Sequence, residues 1–180
     1  MIKKSKTKHI QENIYNKDKS INLKERDIRK QILVHLATNP VCDLSACLAL
    51  ISISKDAERL GDYIKNFIEL IEIARDSKSD RHLFRKLFEE NGERLLILFR
   101  LVSEAFRNSD TDSALEAVRE GREISHHCEE IIDEVLVSDY SSRQAVIIAL
   151  GSRYMKRIAL HLSNIASSLV NPLHEVGYRT

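Results

Sequence analysis

Glu58 and Asp62 stand one helical turn apart in SKDAERLGDYIKNFI, residues 54–68, a stretch whose apolar residues otherwise recur with helical spacing. Two carboxylates at i and i+4 project from one face and repel each other unless positive charge lies between or opposite them. A salt-bridge partner or a metal ion would meet that need. A second polar group, Asp18, Asn22 and Glu25 in DKSINLKE, repeats at intervals of four and three residues, again the period of one helix face.

Positioning these groups is the work of helices. Helical periodicity covers nearly everything after the first dozen residues. The spacing predicts a first helix over 14–38, with Ile14, Ile21, Ile28 and Ile32 on one side and a stop at Asn39-Pro40. A second helix is expected over 43–77, burying Leu50, Ala57, Ile64 and Ile71. Asp80 is the expected cap of a third, which carries Phe84, Leu87, Leu95, Leu98, Val102 and Ala105 and ends at NSDTD. A fourth spans 111–137, with Leu115, Val118, Ile131, Ile132 and Val135, and a fifth runs over 141–170 and closes at Asn171-Pro172. No stretch reads as a strand, so the class is all-α.

The short turn at Pro40 makes the first two helices antiparallel neighbours, so residues equally far from it lie at one level. Asn22 and Glu58 are each 18 residues from Pro40, and Asp18 and Asp62 each 22. Asp18, Asn22, Glu25 and Arg29 share a face that becomes Ile32 and Leu36 nearer the turn. On the second helix Leu44, Leu48 and Ile51 lead into Lys55, Glu58 and Asp62. The apolar ends therefore meet near the turn and the polar ends away from it. Asp18, Asn22, Glu58 and Asp62 gather around one point, with Glu25 as a further candidate ligand. Such hard oxygen donors suit Mg, Ca, Mn or Fe better than a thiol-loving ion. The competing reading is a polar layer in which Lys55, Arg29, Arg59 and Lys65 neutralise the acids and set the register without a metal.

Composition narrows the rest. With 28 basic and 27 acidic residues, the chain lacks the field a nucleic-acid binder needs, so no nucleic-acid partner is expected. No apolar run reaches transmembrane length. Cys42, Cys47 and Cys128 form no CxxC pair and are odd in number, which fits a reduced, cytoplasmic protein. The basic start, with Lys3, Lys4, Lys6 and Lys8, reads as a frayed, solvated terminus. Glu123 and His126 have the ExxH spacing of ferritin-like di-iron bundles, but no second such pair exists, and His126, His127 and Cys128 point in different directions around a helix. The isolated glycines form no phosphate-cradling loop, and no nucleophile elbow is present, so an enzyme is not expected.

Shifting the chain by 98 residues lays SKDAERLGDYIKN over SRYMKRIALHLSN, pairing Arg59 with Arg157, Leu60 with Ile158 and Asn66 with Asn164. A period this long suggests duplicated helical units. Glu58 and Asp62 fall on Lys156 and Leu160, so the second copy lacks the acids of the first.

NPVCDL followed by KDAERLGDYIKN resembles the signature of the PhoU family, helical regulators of phosphate-transport systems: a proline turn, a DL pair, then ERIGD. DKSINLKE resembles the family's other helix, and RYMKRIALHLSNIASSLVNP resembles the second copy in the branch with KRI for ERI. The resemblance covers roughly 14–178. It implies two tandem three-helix bundles in one domain, here 14–78 and 79–180, and a regulatory or accessory role beside a membrane ion transporter or its cytoplasmic subunit. It also implies metal binding (Fe, Mn, Zn or Mg) through the E(D)xxxD motifs, which land on Glu58 and Asp62 and on Asp18 with Asn22. Lys156 would be held by Glu120 or Glu123 of the fourth helix. Such a family member has a full helix before the first one seen here, whereas thirteen residues precede Ile14. That shortfall leaves a seam for the second half, a second copy or a partner to cover, and a homodimer is the expected answer. A metal-free helical adaptor is the alternative function, and a ferritin-like enzyme the remote one.

Overall fold

The computed structural model describes residues 2–171 apart from 40, 42 and 76, with side chains from residue 12 onward, residue 79 also excepted. Five helices account for nearly all of it: α1 (Ile2–Thr38), α2 (Leu44–Arg75), α3 (Lys78–Asn108), α4 (Thr111–Leu136) and α5 (Ser142–Ser167). No strand occurs among the described residues, and the chain is all-α as its periodicity requires.

Each boundary has a local cause. At the end of α1, the His35 carbonyl accepts both the Asn39 backbone N–H and the Asn39 side-chain amide, each at 3.0 Å, which closes the last turn. Asp43 accepts the Ala46 N–H at 3.0 Å and starts α2. Ser77, not Asp80, caps α3: its hydroxyl accepts the Asp80 N–H at 3.2 Å. The Asp80 carboxylate is instead buried against Arg143 of α5 at 2.9 Å, so α2 stops short of residue 77. Ser109 closes α3 in the left-handed conformation at φ 53°, and Asp110 immediately caps α4 through Asp112 and Ser113. Ser141 and Gln144 form a reciprocal capping box on α5.

Helix α5 is the centre of the molecule, touching α2, α3 and α4. Leu98, Ile124, Cys128, Ile148, Met155 and Leu162 are fully buried along these contacts, each apolar side chain contributing roughly 1.5–3 kcal/mol of transfer energy. Helices α4 and α5 approach closely at Gly121, where a Cβ would stand 2.8 Å from Ser163 Cβ and 3.0 Å from the Ala159 carbonyl. Only glycine permits that spacing.

Helix α1 is different. Among the described residues it packs against α2 alone, and only Asp18 and Ile32 of its side chains from residue 12 onward are buried. The basic start does not fray: residues 2–13 extend α1, which is 37 residues long rather than the 25 or so expected. Leu23, Leu33 and Val34 of α1 and Leu44 and Leu48 of α2 are exposed. The apolar ends expected to meet near the turn therefore do so incompletely; Ile32 and Cys47 are buried there, but Leu44 and Leu48 are not. Leu50, expected in the core, is 50% exposed, and Leu115 is 47% exposed.

Candidate cation site between α1 and α2

The hairpin level is reproduced at Asp18. Asp18, 94% removed from solvent, sits directly over Gly61: a Cβ at that position would stand 2.6 Å from Asp18 Oδ1. Gly61 thus makes room for a carboxylate between the two helices. The Lys65 ammonium, one turn further along α2, donates to Asp18 Oδ2 at 2.7 Å and pairs with Asp62 Oδ1 at 2.8 Å. One lysine therefore bridges an acid of α1 and an acid of α2. Burial pulls its pKa down, but the hydrogen bonds to Asp18 and Asp62 outweigh that and hold the ammonium above its ordinary value.

The other sequence-derived ligands are paired more locally. Glu58 accepts from Lys55 at 2.7 Å along its own helix, and Glu25 lies 2.7 Å from Arg29 Nε on α1. Of the cations expected to neutralise the acids, Lys55, Arg29 and Lys65 do so. Among the described residues no three His, Cys, Asp or Glu side chains are disposed to hold a metal as they stand.

Two oxygens nonetheless lack a partner: Asp18 Oδ1 and Asn22 Oδ1 are buried with no hydrogen bond. Glu25 Oε1 makes no hydrogen bond either, but the Arg29 guanidinium stands 2.7 Å from it. These are the three residues of the α1 stripe. A buried acceptor without a donor costs about 1–3 kcal/mol, more when charged. The donor chemistry fits a hard cation; the side-chain arrangement puts the Lys65 ammonium between Asp18 and Asp62. An open cleft of about 480 Å³ adjoins the cluster, lined among others by Tyr15, Lys55, Glu58, Asp62, Lys65 and Glu69.

The second copy is built without such a stripe. Lys156 pairs with Glu129, not with Glu120 or Glu123 as expected, and Glu120 instead receives Arg94 of α3 at 2.7 Å. Glu123 and His126 are exposed on α4, and His126 approaches Glu129 and Glu130 rather than Glu123. His127 faces Asn91 of α3 at 3.0 Å, and Cys128 is wholly buried, its thiol pushed up to about 12 by desolvation against the lowering pull of Lys156 and Arg94. The three neighbouring residues do diverge around the helix.

Further interhelical contacts escaped the sequence. His161 of α5 is buried with Nδ1 2.7 Å from Asp56 Oδ1 of α2, its ring stacked on Tyr63 at 5.5 Å. Arg143 joins α5 to Asp80 and to the Ile73 carbonyl. Neither pair has a periodic signature, since each partner is the nearest opposite charge or acceptor only after the helices dock.

Long antiparallel helices, one central helix and an acid-and-lysine layer between a hairpin pair define an α-helical bundle protein with a charged seam. Within that class, the PhoU domain matches residues 2–71 and 88–169, and the chain belongs to the PhoU family. The C-terminal ends of the two matched segments lie 98 residues apart, the spacing of the internal repeat. No curated protein and no solved structure matches the chain. Membership points to a regulatory or accessory role in phosphate transport rather than to catalysis. No helix among the described residues is long and apolar enough to cross a membrane.

Proposed function

We propose that the protein is a cytoplasmic regulator of a phosphate or related ion transporter and acts by protein–protein contact at the inner face of the membrane. The observation that carries this reading is the PhoU match in both halves of the chain. The surface of α1 and the adjoining end of α2 supports it. Leu23, Leu33 and Val34 are exposed on α1, which among the described residues packs against α2 alone, and Leu44 and Leu48 are exposed on the adjoining end of α2. A second copy of the chain or a cytoplasmic subunit of the transporter would cover them, and the homodimer is our preferred form.

Asp18, Asn22, Glu25, Glu58 and Asp62 are the residues that would hold a metal ion, of the Fe, Mn, Zn or Mg type. Bound there, the ion would neutralise the acids and tie α1 to α2. The unpartnered oxygens of Asp18 and Asn22 support this part of the reading.

The test is affinity capture of the full chain from transporter-containing membranes, with phosphate uptake measured in cells with and without the protein. Co-purification of a transporter component and altered uptake are expected. Neither association nor any change in uptake would overturn the regulatory role. Light scattering at micromolar concentration tests the dimer, and a monomer mass would remove it.

A further inference from the structure

Lys65 occupies the position a cation would take, and no other lysine of the cluster does. Lys55 and Arg29 are 41% and 45% exposed and pair with acids on their own helices. Lys65 is 18% exposed and reaches across to α1. Its single ammonium satisfies Asp18 Oδ2 but leaves Asp18 Oδ1, buried above Gly61, and Asn22 Oδ1, one turn along, without a donor. A compact ion with several coordination positions can serve oxygens that one ammonium cannot. Both cannot be there together, because like charges at ion-pair distance repel steeply in a partly dry seam.

We propose that Lys65 is a built-in competitor for the cation site: its ammonium holds Asp18 and Asp62 when no ion is bound, and must leave for a divalent ion to enter. The inference rests on the ion-binding reading above. Lysine suits the role, being a point charge on a flexible four-carbon stem. The cleft beside the cluster gives that stem somewhere to go, since Lys65 already lines it together with Glu69 and Tyr15. A cation bridges the acid pair in either state, so α1 stays docked with or without the ion. Lys65 then sets the ion concentration at which the exchange occurs, and its displaced head changes the charge of the cleft.

The experiment is calorimetric titration of Mn²⁺ into the full chain purified without chelator. It compares wild type, Lys65→Met, Lys65→Gln and the double variant Glu58→Ala/Asp62→Ala, with circular dichroism confirming helicity in each. Two lysine variants are used so that a folding defect in one leaves the other. Removal of the competitor is expected to tighten Mn²⁺ binding at least tenfold over wild type, in both lysine variants, and the double variant is expected to lose binding. Wild-type affinity equal to or tighter than that of the lysine variants overturns the competition while leaving the ion site intact. Equal binding by the double variant places the ion elsewhere and overturns the inference. Absence of binding in every protein overturns the ion reading itself.

Discussion

Replacing Lys65 by Met strands a carboxylate between α1 and α2, and the size of the effect follows from the geometry. Met and Lys differ little in helix propensity, so the change isolates the ammonium. The lost contacts are 2.7 Å to Asp18 and 2.8 Å to Asp62. Asp62 is half exposed and returns to water, so its share is below about 1 kcal/mol. Asp18 is buried, and removing the partner of a buried charge typically costs about 3–5 kcal/mol. The expected loss at pH 7 is therefore about 3–5 kcal/mol, carried almost wholly by Asp18. The wild-type lysine, whose pKa is raised, keeps its contribution at every pH below the ordinary lysine value and loses it as pH rises through the raised one. Urea unfolding at pH 7 without divalent ions measures the loss. Hydrogen exchange along α1, which among the described residues packs on α2 alone, shows whether that helix loosens first. A loss under about 0.5 kcal/mol at pH 7 would refute the reasoning.

Two glycines with opposite surroundings give a paired prediction. Gly121→Ala drives a methyl into Ser163 and the Ala159 carbonyl of α5, and backbone cannot yield as a side chain does. An overpacking cost of about 1–3 kcal/mol should exceed the gain of roughly 1 kcal/mol in helix propensity and lower the Tm. Gly92→Ala meets nothing within 4 Å and should raise stability by about 0.5–1 kcal/mol; both are read by thermal unfolding. Cys128, its thiol held up to about 12 by burial, should resist iodoacetamide at pH 8.5 until the protein unfolds, as peptide mass spectrometry would show; rapid native labelling would contradict its placement. Above about pH 9 the unfolded chain releases the thiol proton while the folded one keeps it, so Cys128 makes stability fall with further increase in pH. Ser141→Ala removes the capping box of α5 and should cost about 1 kcal/mol in urea unfolding.

Much of this protein is legible in its sequence because helices are local. The 3.6-residue period, the stop at Asn39 and the polar caps are set within a few residues of chain, and they give five helices and an all-α class. The hairpin register is legible for the same reason: one short turn fixes which residues share a level, and Asp18 does lie against Gly61 and the Asp62 turn. What the chain does not carry locally is the choice among equivalent partners. Asp62 and Asp18 had four nearby cations to choose from, and only packing shows that Lys65 crosses the seam while Lys55 and Arg29 stay on their own helices. Lys156 took Glu129 over two acids that suited the spacing as well, because rotation of α4 about its axis is decided by its contact with α5. Ser77 took the cap from Asp80 once Arg143 of α5 had claimed that carboxylate. Likewise, periodicity marks an apolar stripe on α2 but not which part of it the other helices cover, and Leu50 stays half exposed. Sequence determined the helices and the chemistry of the seam, since both depend on neighbours along the chain. Tertiary structure decided which charges meet there, since that depends on neighbours the chain reaches only by folding.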